Sequence, residues 1–87
     1  TAIEDKYAFS PLAREIVATS QGAYAYDRKD YAAARAWFST NETKNNPVAT
    51  FYRAQMAETG NGAQRDSEAA LRLFTESANA GFYWAQL

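Results

Sequence analysis

Pro11 and Pro47 stand 36 residues apart, and so do Asp30 and Asp66. The same offset pairs Ala13 with Ala49 and Ala85, Ala18 with Ala54, Ala33-Ala34 with Ala69-Ala70, and Phe38 with Phe74. Each of these residues has a helical meaning. Ser10-Pro11 and Asn46-Pro47 place a capping side chain before a proline at the first helical position, where the missing N–H costs nothing. Asp30 and Asp66 each precede an alanine-rich run, and a carboxylate there accepts from orphan amides and complements the helix dipole. A chain of 87 residues that repeats such signals once is two helix–turn–helix units, each resting its apolar face on the other.

The starts and stops predict four helices, from Pro11 to Tyr26, Tyr31 to Asn41, Pro47 to Thr59 and Ser67 to Asn79. Gly60-Asn61-Gly62 breaks the third, and Gly81 stands where a left-handed residue ends the fourth. The apolar spacing predicts that the second helix buries Tyr31, Ala34, Trp37 and Phe38. The fourth buries Ala70, Leu73, Phe74, Ser77 and Ala78. Nineteen alanines favour helix and let helices approach closely around bulky aromatics, which make up 15% of the chain. Valine, isoleucine and threonine never alternate with polar residues, so the fold class is all-α. Residues 82–87 read as the start of a partial fifth helix, and Ile3, Tyr7 and Phe9 as a lead segment lying over an exposed helix face.

The second unit, from Ala49 to Gln86, resembles the Sel-one-like repeat (SLR) family, a relative of the tetratricopeptide repeat with a longer glycine-containing turn. Its Gly60-Asn61-Gly62-Ala63-Gln64-Arg65-Asp66 is similar to that family's G-x-G-x-x-x-D turn. Ala70, Phe74, Ala78 and Gly81 follow at the positions for small, aromatic, small and glycine. Ala85-Gln86 resembles the opening of a further unit. The first unit departs from the pattern, with Tyr24 and Tyr26 where the turn glycines belong. In a 34-residue register its Gly22, Tyr31, Ala34 and Phe38 look like a plain tetratricopeptide unit. Arg53 stands where a leucine packs in the family. The resemblance divides the chain into a lead segment 1–9, a degenerate repeat 10–46, a second repeat 47–81, and a third repeat or C-terminal cap from 82 to 87. It implies a short right-handed αα superhelix whose first helices line a concave groove. It also implies an adaptor for other proteins, and a bacterial origin with a periplasmic or secreted location, although the lack of cysteine fits an ordinary cytosol equally well.

Composition narrows the chemistry. With no histidine and no cysteine, the commonest general base, thiolate metal sites and disulfides are all missing. A net charge of −1 and a pI of about 5.3 give no electrostatic footprint for nucleic acid. No run of 18 apolar residues is present to span a membrane. Opening at Thr1 fits a processed chain or a fragment, and ending at Leu87 inside a new helix fits a piece of a longer solenoid. The carboxylate pairs Asp27 with Asp30 and Asp66 with Glu68 are the only candidate acid–base groups. Asp30 and Asp66 are explained as caps, so no catalytic residue, metal or cofactor is expected. The Gly60-Asn61-Gly62 turn lacks the lysine of a phosphate cradle. Asn41-Glu42-Thr43 is a glycosylation sequon, and Arg28-Lys29 with Arg65 forms a small basic spot.

The expected function is therefore a non-catalytic interaction module. Its candidate groove residues are Glu15, Thr19 and Tyr26 from the first unit, and Phe51, Tyr52, Gln55 and Glu58 from the second. Phe51 and Tyr52 either face the groove as rigid anchors or pack inside the hairpin. Tyr83 and Trp84 form a candidate interface at the open repeat end, through which copies can self-associate. The other readings are a structural piece of a larger exported assembly protein and a small enzyme inhibitor or regulator.

Overall fold

The computed structural model describes residues 11–81, with side chains from Ala13 onward. The lead segment, the Ser10 cap, residues 82–87 and with them Tyr83 and Trp84 lie outside the described residues. Four helices follow one another: α1 (Pro11–Asp27), α2 (Tyr31–Phe38), α3 (Pro47–Thr59) and α4 (Ser67–Asn79). No strand occurs among the described residues. The chain is all-α.

Three of the expected caps are in place. Asp30 Oδ1 accepts from the Ala33 amide at 3.3 Å, and Asp66 Oδ1 accepts from the Ala69 amide at 3.1 Å. Asn46 Oδ1 takes the Val48 and Ala49 amides at 2.9 and 3.1 Å, with Pro47 opening α3 beside it. The two hairpin turns differ. Gly60 closes α3 in the left-handed region at φ 82°, and its amide donates to the Met56 carbonyl. The α1–α2 turn has no glycine, and Lys29 takes the left-handed conformation instead at φ 64°. Amides of Lys29 and Asp30 there reach back to the carbonyls of Tyr26 and Ala25, the paired bonds of a Schellman motif. The first hairpin turns tightly without the glycine element of the second.

Helix α2 ends at Phe38 rather than Asn41. The Trp37 carbonyl accepts from both Thr40 Oγ1 (2.9 Å) and Thr43 Oγ1 (3.1 Å). Side-chain hydroxyls that satisfy a terminal carbonyl replace the next helical turn. Thr43 is wholly buried in doing so. The threonine of the sequon thus has a structural task in the α2–α3 loop.

Each hairpin packs on itself, α1 on α2 and α3 on α4, and α3 also rests against both helices of the first. Ser77 Oγ, buried at the far end of α4, donates to the Pro47 carbonyl at 2.6 Å and ties the second hairpin shut. Ala25, Ala34, Phe38, Ala49 and Met56 form the shared core. Phe38 is fully buried, its ring stacked on Tyr52 with centroids 5.0 Å apart and planes 11° from parallel.

Gly22 lies directly beneath that ring. A Cβ there would overlap Phe38, with Cζ only 2.7 Å away. On an open helix face, Gly→Ala would stabilise by about 1 kcal/mol. Gly22→Ala is expected to do the reverse, because overpacking against a fixed aromatic costs about 1–3 kcal/mol. Chemical denaturation measures the sign directly.

The expected burial in the second and fourth helices needs correction, and Tyr31 is only half-buried. Trp37 is 37% exposed, because it overlies the N-terminal half of α1 at an edge that no other described helix covers. Leu73, Phe74 and Ala78 are only half-buried, since no described helix packs on the outer side of α4. Arg53, where the resemblance places a packed leucine, is half-buried, and α3 runs unbroken around it with Ala49, Thr50, Ala54, Met56 and Ala57 buried.

Candidate functional site

The inner helices α1 and α3 meet along a line of candidate groove residues. At one end Asn46 Nδ2, beside the start of α3, donates to Glu15 Oε2 at 3.2 Å. At the other, Tyr26 packs edge-on against Tyr52 with centroids 5.1 Å apart, and against Tyr31 at 5.3 Å. Thr19, between Glu15 and Tyr26 along α1, is half-buried, with an Oγ1 that has no hydrogen-bond partner. Phe51 continues the aromatic seam, 6.4 Å from Tyr52 and 5.5 Å from Phe74.

The structure thus brings Glu15, Tyr26 and Tyr52 to one inter-hairpin seam and turns Phe51 toward α4. Tyr52 is half-buried between the hairpins, stacked on core Phe38 of α2 and edge-on to Tyr26 of α1. Gln55 is half-buried on α3. Glu58 is exposed and stands apart, in a shallow depression of 330 Å³ with Arg65, Leu71 and Phe74 on the α4 side.

Burial pushes the Tyr26 hydroxyl above its ordinary range, and Tyr31, Tyr52 and Asp27 add repulsion to its ionised form. The Tyr52 hydroxyl is raised by burial and then by Asp27. A raised phenol favours folding fully below its unfolded pKa of about 10 and loses that contribution as pH climbs through the folded value. Stability should therefore fall above about pH 10, and the fall should be shallower in a Tyr26→Phe, Tyr52→Phe double variant. Urea midpoints from pH 8 to 11 give the comparison; identical slopes would contradict it.

Three features were not apparent from sequence. An apolar cleft of 300 Å³ between α1 and α2 is lined by Ala13, Val17 and Trp37, with Arg14 and Glu42 at its rim. Val17 in its wall is more than half exposed, as is Ile16 before it in sequence. Met56 is a core residue at 1% exposure, although α3 carries little apolar periodicity to announce it. Arg53 faces a second cleft between α2, α3 and α4.

Among the described residues no three or more carboxylates gather as a metal site, and no helix is long and apolar enough to cross a membrane. Arg28 pairs with Asp30 at 3.8 Å and lies over the Tyr24 ring at 4.9 Å, so this basic spot is partly neutralised by its own cap residue. No family model matches the chain, and no curated protein or solved structure matches it.

Proposed function

We propose that the chain is a non-catalytic protein-interaction module of two Sel-one-like, helix–turn–helix repeats, stacked as a short right-handed superhelix. Its partner, a protein or peptide, lies along the α1–α3 groove. The observation that carries this reading is the side-by-side placement of α1 and α3, joined by Glu15–Asn46 and Tyr26–Tyr52. Equivalence at the 36-residue offset supports it: Asp30 and Asp66 cap alike, and Ala18, Ala54, Ala34 and Ala70 are all buried. Tyr26 and Tyr52 supply rigid aromatic surface, and Glu15, Thr19 and Gln55 supply polar contacts, while Phe51 and Glu58 lie toward α4. An adaptor exported by a bacterium is the setting that the repeat resemblance suggests.

Dodecamer peptides selected from a random library against the immobilised chain test the groove. Gln55→Arg should weaken the selected peptides at least fivefold, with helicity and melting unchanged, while Glu76→Lys on the outer face of α4 should not. Peptides indifferent to Gln55→Arg, but lost with Trp37→Ala, would move the site to the α1–α2 cleft.

A second reading, a structural unit of a longer assembly, is favoured by the outer face of α4, where Leu71 is 70% exposed beside half-buried Phe74. Glu58→Lys separates the two. Loss of self-association with peptide binding intact would assign Glu58 to stacking rather than to the groove.

A further inference from the structure

We infer that the cleft between α2, α3 and α4 is a carboxylate-binding site built on Arg53 and Arg35. The cleft has a volume of 300 Å³, and both arginines line it together with Ser39, Gln64 and Asp66, above the buried Met56. Arg53 is the unusual member. Its Nη2 donates to Thr50 Oγ1 at 3.1 Å and to the Lys44 carbonyl at 3.4 Å, yet its Nε is buried with no acceptor. A buried donor of a charged group without an acceptor destabilises a fold. An apolar residue of similar volume would fill half-buried position 53 of α3 without that penalty. An arginine held there at a cost to stability, in a cleft that also presents a second guanidinium, has the form of a binding residue.

The charge of the cleft selects the ligand. Neither Arg35 nor Arg53 is ion-paired among the described residues, where Arg28 pairs with Asp30. Asp66 lines the same cleft, with Oδ1 engaged by the Ala69 amide as the cap of α4. Two guanidiniums and one carboxylate leave the cleft with a single net positive charge. That matches a monoanion better than a dianion. Planar guanidiniums suit the two oxygens of a carboxylate, and Ser39 and Gln64 add neutral donors. Met56 below offers contact for a short apolar stem. The ligand is a carboxylate on such a stem, supplied either by a free small acid or by an acidic side chain of a peptide.

The test follows the Arg53 Nε–Hε signal by NMR on the full chain at constant ionic strength. Butanoate should shift it saturably, and butanamide, its neutral isostere, should not. Arg35→Gln should weaken butanoate about tenfold, the loss of one charge-assisted contact. A blocked alanine–glutamate–alanine tripeptide that outcompetes butanoate would identify a peptide source, and one that fails to bind while butanoate binds would identify a free acid. Equal shifts from butanoate and butanamide, no shift from any carboxylate, or indifference to Arg35→Gln would overturn the site. Arg53→Met provides the independent check. Its melting temperature should equal or exceed that of the parent, and a lower one would make Arg53 a structural residue and overturn the inference.

Discussion

Phe38→Ala is expected to destabilise the domain by about 3–5 kcal/mol, the usual cost of removing a fully buried phenylalanine. A domain of this length is stable by roughly 5–10 kcal/mol, so the variant should be near its unfolding midpoint in mild denaturant. The size of the effect follows from position. Phe38 is the last residue of α2, has no exposed surface, covers Gly22 of α1 and stacks on Tyr52 of α3. One ring therefore joins three helices and both hairpins. Its removal opens a cavity that Gly22 cannot fill. Phe74, at the equivalent place in the second unit, is half-buried and meets Phe51 edge-on. Phe74→Ala should cost about 2 kcal/mol or less, because a smaller share of its surface leaves water on folding. Urea titrations of the two variants provide the contrast. Equal losses would show that the repeat offset, and not burial, governs the energetics.

Gly62→Ala is the second large effect, expected at about 2–4 kcal/mol from backbone strain and overpacking together. Gly62 has φ of 78°, and a Cβ would lie 2.5 Å from Met56 Cε, 2.9 Å from Tyr31 Cβ and 3.0 Å from the Tyr31 carbonyl oxygen. The turn of the second hairpin is thus pressed onto the start of α2 in the first. Gly60 is the internal control. Its φ is 82°, but the nearest atom to a Cβ there is 3.5 Å away, so Gly60→Ala carries the conformational penalty of about 1 kcal/mol alone. The difference between the two variants isolates the contact between turn and helix. If Gly62→Ala costs no more than Gly60→Ala, the turn does not bear on Tyr31.

What could be read from sequence was local. Asp30, Asp66 and Asn46-Pro47 act through bonds to amides two or three residues away, so their spacing alone placed three helix starts correctly. The end of α2 was misplaced because it depends on Thr43, which bonds the Trp37 carbonyl six residues back in sequence. Trp37 and Phe38 are adjacent and equally apolar, yet one is open and the other sealed. Only the position of α3, which brings Tyr52 over Phe38, makes the difference. Gly22 could be noted as a glycine inside a helix, but its reason is a ring sixteen residues away.

The candidate groove was legible to the same degree. Of the residues expected to line it, Glu15 reaches Asn46 at the start of α3, and Tyr26 of α1 meets Tyr52 of α3. Periodicity could not assign Glu58 or Phe51 between the groove and the α4 side, since that choice depends on how α4 crosses α3. Nor could it show that Arg53, an apparent lapse in an apolar pattern, opens onto a cleft with Arg35.

The stacking of the two hairpins is the claim on which the groove depends, and aromatic NOEs on selectively labelled protein measure it most directly. The account predicts cross-peaks from Tyr52 to both Tyr26 and Phe38, whose ring centroids lie 5.1 and 5.0 Å away. Cross-peaks confined to Phe51 and Phe74 within the second hairpin, with none from Tyr52 to the first, would contradict it.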